Sequence, residues 1–333
     1  MVRRTREERL NMAKITLGIG TSHSPMLSTP IDEFEGHASR DAKNPQIPDY
    51  AGRTERLREQ LADQLTDDVV AAKNDACQAA IAKLGATIRE RDIDLLLIVG
   101  DDQEEWFDKE NIPALGVYWN DQVETRPPDV EHMHPTLRSA YWGYHGDGTN
   151  HTVRVHGDLG RHVIAELTKQ HFDVYSFRQQ PTDKPLGHAW TFVYHRILEH
   201  QFDLPVLPVY LNTYYPPNTP APGRCFELGQ GLRRAVESWD EDLNVCVVGS
   251  GGLSHFVVDE ELDRGLLDAI AQGDREHIEQ IDPDRLLSGS SEAKNWITAA
   301  GAAEHLDFKV IDYVPYYRSP AGSGVGMGFA VWE

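Results

Sequence analysis

The chain reads as an α/β protein, a single domain with a central mixed sheet flanked by helices on both faces. Three observations predict this. Short apolar runs such as residues 94–100 and 243–249 have the length and continuous hydrophobicity of strands buried on both faces. Stretches such as 224–239 place apolar residues at helical spacing. The two kinds alternate along 333 residues with no repeat and no low-complexity linker.

Residues 14–20 form the first strand. Residues 28–55 are polar and carry Pro30, Pro45 and Pro48, so they predict an irregular surface excursion. Residues 53–91 predict one or two helices. The run 94–100 predicts a buried strand followed by an active loop. Residues 114–119 predict another strand, and 120–157 a long His- and Asp-rich loop region in the pocket wall. A helix follows at 158–169, with Asp158 near its start, and a strand at 172–177. Residues 189–200 fit either state. Residues 204–211 predict a strand whose two prolines favour a bulged or edge position. The helix 224–239 and the strand 243–249 come next. Helices at 258–272, 274–280 and 291–303 and strands at 309–317 and 326–332 close the chain.

The 32 basic and 53 acidic residues give a formal charge of −21. Such a surface repels nucleic acid and anionic membranes, so neither is expected as a partner. Cys77, Cys225 and Cys246 are widely spaced and odd in number, against a disulfide framework and against a thiolate metal site. No apolar run reaches membrane-span length. The charged stretch 1–11 has no apolar signal core and reads as a flexible leader before a domain at 12–333. The expected location is cytoplasmic.

Four segments share one pattern of apolar run, small residues, then a reactive side chain. They end at His23, at Asp101-Asp102-Gln103, at Gly187-His188 and at Ser254-His255. Parallel strands would bring such ends to one crevice, where open α/β sheets bind ligands. A histidine at the end of Gly18-Ile19-Gly20-Thr21-Ser22-His23 suits a metal ligand or a turn cap about equally. The stretch Gly249-Ser250-Gly251-Gly252-Leu253-Ser254 is neither a nucleophile elbow nor a phosphate loop. It reads as backbone able to approach a ligand closely.

These segments, with Tyr215-Pro216-Pro217, Arg224-Cys225-Phe226-Glu227-Leu228-Gly229, Glu241-Asp242-Leu243-Asn244-Val245, Ser288-Gly289-Ser290-Ser291-Glu292 and Tyr317-Arg318-Ser319-Pro320-Ala321, carry a resemblance. The chain resembles the class III extradiol ring-cleaving dioxygenases, the family of the protocatechuate 4,5-dioxygenase catalytic subunit. Within it, the opening and the Gly-Asp-Asp-Gln segment resemble the 3-O-methylgallate branch. The similarity runs nearly the whole chain in order, and 224–255 is its most specific part.

The resemblance implies a non-haem Fe(II) held by two histidines and a carboxylate, with O₂ as co-substrate and a catechol- or gallate-type aromatic acid as substrate. His23 matches the first histidine ligand and Glu292 the carboxylate, with Trp296 keeping the helical register. The family pattern after the second strand is Asp-His. Here Asp102 is assigned to that ligand position, with His37 or a histidine of 132–156 as alternatives. His188 matches the catalytic acid/base. His255, Ser254 and His156 match substrate-side positions. Arg318 or Ser254 are candidate anchors for a substrate carboxylate. Tyr214, Tyr215, Trp190, Tyr316 and Tyr317 are candidates to sandwich a ring, each equally at home in a core. The resemblance also implies a homo-oligomer, with 53–91 a possible built-in substitute for a partner subunit. Two competing readings stand beside it. One is a hydrolase or lyase on the same fold using Zn²⁺ or Mn²⁺, prompted by Asp102. The other is a non-catalytic relative that binds aromatic acids.

Overall fold

The structure is a computed structural model that describes residues 12–333 apart from 128, 129, 132 and 147. The expected leader at 1–11, and His132 among the alternative ligands, lie outside the described residues.

The strands are β1 (Lys14–Thr21), β2 (Leu95–Gly100), β3 (Leu115–Tyr118), β4 (Gln122–Thr125), β5 (His151–Arg154), β6 (Tyr175–Phe177), β7 (Val206–Leu211), β8 (Asn244–Ser250), β9 (His255–Val257), β10 (Phe308–Tyr317) and β11 (Ser323–Trp332). The helices are α1 (Glu35–Asp41), α2 (Tyr50–Leu61), α3 (Asp67–Arg89), α4 (Pro135–His145), α5 (Gly157–Lys169), α6 (His188–Phe192), α7 (Pro222–Val236), α8 (Glu260–Gln272), α9 (Arg275–Gln280) and α10 (Ala293–Ala303).

The main sheet runs β10-β11-β1-β8-β2-β7-β3-β6, with β9 added against β11. Its centre, β1-β8-β2-β7, is parallel, and β11 and β3 flank it antiparallel. The sheet is therefore mixed, as expected. Register sets Gly20 beside Gly249, Val99 beside Gly249, and Gly100 beside Tyr210. The carboxyl ends of the central strands are thus level, and the loops after them leave from one edge.

Side-chain alternation divides the core between the two faces. In β2, Leu95, Leu97 and Val99 join the layer under α5, α7, α8 and α10, with Leu159, Val163, Leu232 and Ala299. Leu96 and Ile98 join the opposite layer with α3 and α6, including Ile81, Leu84 and Phe192. All five β2 side chains are buried, and each contributes about 1.5–3 kcal/mol relative to exposure. Helices α7 and α10 meet backbone to backbone. A Cβ on Gly229 would lie 2.0 Å from the Thr298 carbonyl oxygen, and one on Gly301 would lie 2.1 Å from that of Phe226.

Several expectations are refined. Residues 53–91 lie in two helices, α2 and α3. The excursion at 28–55 contains 3₁₀ turns, α1 and the start of α2. The region 120–157 is not one long loop; it holds the β4–β5 pair and α4. Residues 188–197 are helical, ending in a π-turn. Strand β7 is central rather than at an edge. Pro208 pairs in register with Ile98 of β2, and the ladder to β3 begins only at Val209, so the missing N–H falls outside that second ladder. Among the described residues, no helix is long and apolar enough to cross a membrane.

Candidate metal centre

Strand β1 ends by handing its chain across to β11. Ser22 donates its N–H to the Gly328 carbonyl, and Gly328 returns an N–H to Ser22 Oγ, each at 3.0 Å. Ser24 then caps the 3₁₀ turn Pro25–Ser28. Between these fixed points His23 is buried. Its Nδ1 lies 3.0 Å from Ser250 Oγ, and that hydroxyl donates to the Ala189 carbonyl at 2.6 Å. A hydroxyl has one proton, so the network assigns Nδ1 as the donor to Ser250. The Nε2 of a neutral His23 then turns its lone pair toward Glu292 Oε2, 3.2 Å away, and makes no hydrogen bond. When His23 is protonated this contact is an ion pair. When it is neutral, two lone-pair groups face each other, and a cation between them satisfies both.

Glu292 ends the turn Ser288–Glu292 that leads into α10. Its Oε2 accepts the Gly252 N–H at 2.7 Å, and its Oε1 accepts from Gln103 Nε2 at 3.0 Å. Trp296 locks this start of α10. Its indole N–H donates to the Gly251 carbonyl at 2.8 Å, and its ring lies flat on β1, where a Cβ on Gly20 would come within 2.5 Å. Burial works to raise the Glu292 pKa, but His255 and His23 hold it below the usual carboxylate range.

Asp101 and Asp102 leave the end of β2 in opposite directions, as consecutive strand residues do. Asp101 turns inward. Its Oδ1 accepts from Asn295 Nδ2 and its Oδ2 from Gln103 Nε2, each at 3.1 Å. Burial and the nearby Glu292 push its pKa up to about 6. Asp102 turns away and caps the next turn, accepting from the backbone N–H groups of Trp106, Glu105 and Phe107 at 2.8, 3.2 and 3.3 Å. Burial and Glu105 push its pKa up to about 7. The expected ligand Asp102 thus stands outside the cluster of possible donors, which its neighbour joins instead: His23, Asp101, His188 and Glu292 present donor atoms all within 4.8 Å of one another.

His188 opens α6. Glu105 grips it twice, with Oε1 accepting its backbone N–H at 2.7 Å and Oε2 lying 3.0 Å from Nδ1. Nε2 is left as the nitrogen available to the pocket. Burial lowers the His188 pKa, but Glu105 outweighs it and holds the imidazole up to about 10. The rings of His188 and His23 meet edge to face at 4.6 Å.

Three of the group, His23, His188 and Glu292, line a cavity of about 460 Å³, within the range of small-molecule sites, and Asp101 stands behind Gln103, which also lines it. His255 lines it, with Nε2 3.8 Å from Glu292 Oε1. Its Nδ1 is buried without a hydrogen bond, and burial lowers its pKa against the pull of Glu292. His37, Arg318 and Tyr214 line the cavity too. His37 bonds Thr29 Oγ1 at 2.9 Å and stays outside the donor group.

Other expected residues stand elsewhere. Ser254 is not on the cavity wall; its N–H and hydroxyl both donate to the buried Asp263, at 2.7 and 2.6 Å. His156 caps α5 through Leu159 N–H and lies 3.7 Å from Glu241, away from the cavity. Trp190 and Tyr316 are core residues whose polar atoms bond the carbonyls of Ile98 and Val70. Tyr215 and Tyr317 also fall outside the cavity lining. Sequence reasoning brought Asp101 and Gln103 to the crevice without giving them a role and did not single out Glu105. Strand alternation after Gly100 was the available signal for Asp101. Nothing local marks Glu105 as a partner of His188, 83 positions away.

Residues 129–328 match the family described as the catalytic LigB subunit of aromatic ring-opening dioxygenase. The chain belongs to the LigB family. Over 104 residues, 31% of this chain, it is 38% identical to a gallate dioxygenase of Pseudomonas putida, covering 29% of that protein. Over 180 residues, 54% of this chain, it is 26% identical to a 2,3-dihydroxyphenylpropionate/2,3-dihydroxicinnamic acid 1,2-dioxygenase of Comamonas testosteroni, covering 49% of it. The matches thus span about a third and a half of these relatives.

Proposed function

We propose that this protein is a non-haem Fe(II) extradiol dioxygenase that opens the ring of a catechol- or gallate-type aromatic acid with O₂. The observation that carries the reading is the facing pair His23 Nε2 and Glu292 Oε2, with Asp101 and His188 beside it, in a cavity of small-molecule size. The LigB match and the dioxygenase names of two relatives favour oxygenation over hydrolysis or lysis.

His23, Asp101 and Glu292 would hold the metal. One imidazole and two carboxylates suit a divalent ion with hard-donor preference, Fe(II) among them. When bound, the metal supplies chelation of two adjacent ring oxygens and a route for electrons to O₂. The protein's part is positioning and proton control. Gln103 donates to both carboxylates and fixes their separation. Gly252 N–H and Asn295 take further lone pairs, which aims the remaining ones inward. Glu105 keeps His188 in its donor form, ready to hydrogen-bond an anionic substrate oxygen and to deliver a proton to it. With a cation bound nearby, like-charge repulsion would bring the His188 pKa down, which would help its imidazole to accept as well as give a proton. His255 supplies a neutral imidazole on the same wall.

The reading extends to a cytoplasmic location, supported by three free, buried cysteines, and to a homo-oligomer, on the resemblance alone. The test is aerobic incubation of iron-loaded protein with a panel of catechols and gallates, following O₂ uptake and a yellow ring-opened product. Iron retained without O₂ uptake on any member would refute it.

A further inference from the structure

The wall of the cavity made by α1 carries two guanidinium groups with different surroundings. Arg318 is buried and held in a two-point ion pair by Asp41. Its Nε donates to Oδ2 at 2.7 Å and its Nη2 to Oδ1 at 2.9 Å. Ser323 adds a hydroxyl donor to the same carboxylate. This pair is electrically neutral, so the charge of Arg318, one of the two anchors the sequence suggested, is already matched.

Arg40, one residue before Asp41, is different. It is half-buried on the same cavity wall. It makes one hydrogen bond, from Nη1 to Thr136 Oγ1 of α4 at 2.9 Å. Among the described residues it has no ion pair, although the chain carries 53 acidic side chains. An arginine has five N–H donors in a fixed planar fork, so most of its donors stay unfilled. The bond to Thr136 holds the fork in place. His37, three residues earlier on α1, faces the same cavity. Burial, then the charges of Arg318 and Arg40, press its pKa down to about 2, so it adds no charge. The balance on this wall is two guanidiniums against one carboxylate, while His23 and Glu292 of the donor group line the same cavity.

We propose that Arg40 is an anion subsite that binds the carboxylate of an aromatic substrate whose adjacent oxygens lie at the donor group. The inference deepens the proposed function and rests on it for the diol end only. It assigns the residue that holds the carboxylate end of that substrate and so favours acids over neutral catechols. A carboxylate matches the open fork in shape and cancels the unbalanced charge.

The test measures anaerobic binding to the full-length, iron-loaded protein by calorimetry. The ligands are 3,4-dihydroxybenzoate, catechol and benzoate, and the proteins are wild type, Arg40→Met and Arg40→Lys. For 3,4-dihydroxybenzoate, Arg40→Met should lose about 10- to 100-fold in affinity, the range of a charged hydrogen-bonded contact. Catechol should change less than about twofold, which also shows that the variant is folded, and Arg40→Lys should recover part of the loss. Equal losses for acid and catechol, or no loss for the acid, would overturn the assignment. Benzoate separates the two proposals, because it has no diol. If catechol fails to bind wild type, the diol reading falls. Weaker benzoate binding to Arg40→Met than to wild type would then still support Arg40, and equal binding would overturn it.

Discussion

Asp101→Asn and Asp102→Asn are adjacent, isosteric changes at buried positions, and the structure assigns them opposite consequences. Asp102 accepts three backbone N–H groups, one at 2.8 Å and two at 3.2 and 3.3 Å. An amide there turns an NH₂ against at least one of those donors. A hydrogen bond to a charged acceptor contributes about 1.5–3 kcal/mol; relief of the burial and the Glu105 repulsion that raise the Asp102 pKa offsets part of this, leaving a net loss of about 1–2 kcal/mol. At about 2 °C per kcal/mol for a large domain, the metal-free Tm should fall by about 2–4 °C. Asp101 accepts only from the side-chain amides of Asn295 and Gln103, which re-pair with an asparagine. Its neutralisation removes the repulsion from Glu292, so the metal-free Tm should hold or rise slightly. Metal affinity should instead fall by more than about 100-fold, since loss of a mere outer-shell partner already costs about 10–100-fold. Thermal denaturation of the metal-free proteins at pH 8, paired with metal content after dialysis against a chelator, reads both quantities. Metal lost from Asp102→Asn but kept by Asp101→Asn would refute the inward–outward assignment.

Other outcomes follow from the same geometry. His23→Ala and Glu292→Ala should each abolish metal retention; wild-type iron content in either would reject the pair as ligands. Glu105→Gln should lower the His188 pKa from about 10, because the group that raises it is gone. A raised folded pKa contributes stability in full below the ordinary 6.5 and loses it as pH rises toward 10. Metal-free wild type should therefore lose stability across that window and Glu105→Gln should not, as read from urea midpoints at a series of pH values. Gly229→Ala forces a methyl to within 2.0 Å of the Thr298 carbonyl, so α7 and α10 must separate. It should destabilise by about 1–3 kcal/mol or more, and an unchanged Tm would show the helices to be looser than they stand.

Much of this was legible beforehand, and the reasons differ by residue. The central strands declared themselves by continuous apolar runs, and their shared edge followed from parallel pairing, so His23 and the loop at Gly251-Gly252 could be brought together on paper. The place of Glu292 opposite His23 could be expected only through resemblance; a carboxylate before a helix ordinarily reads as a dipole partner. Asp102 falls outside the donor cluster because matching by motif ignores which way a side chain leaves a strand. Ser254 and His156 failed for a related reason. Polar residues near a site satisfy buried neighbours, Asp263 and the α5 N-terminus here, as readily as they meet ligands. The closed Arg318–Asp41 pair and the solitary Arg40 needed coordinates, since nothing in local spacing says which of two arginines owns a distant acid.

The parallel centre of the sheet has one more consequence. The donors stand on separate exits, after β1, after β2, at the start of α6 and at the start of α10, while the strands beneath them are set by apolar side chains that never see the cavity. Framework and chemistry are thereby uncoupled. A change of donor at one exit alters the ion's preference without disturbing the scaffold, so a series of relatives could differ in metal while sharing every strand.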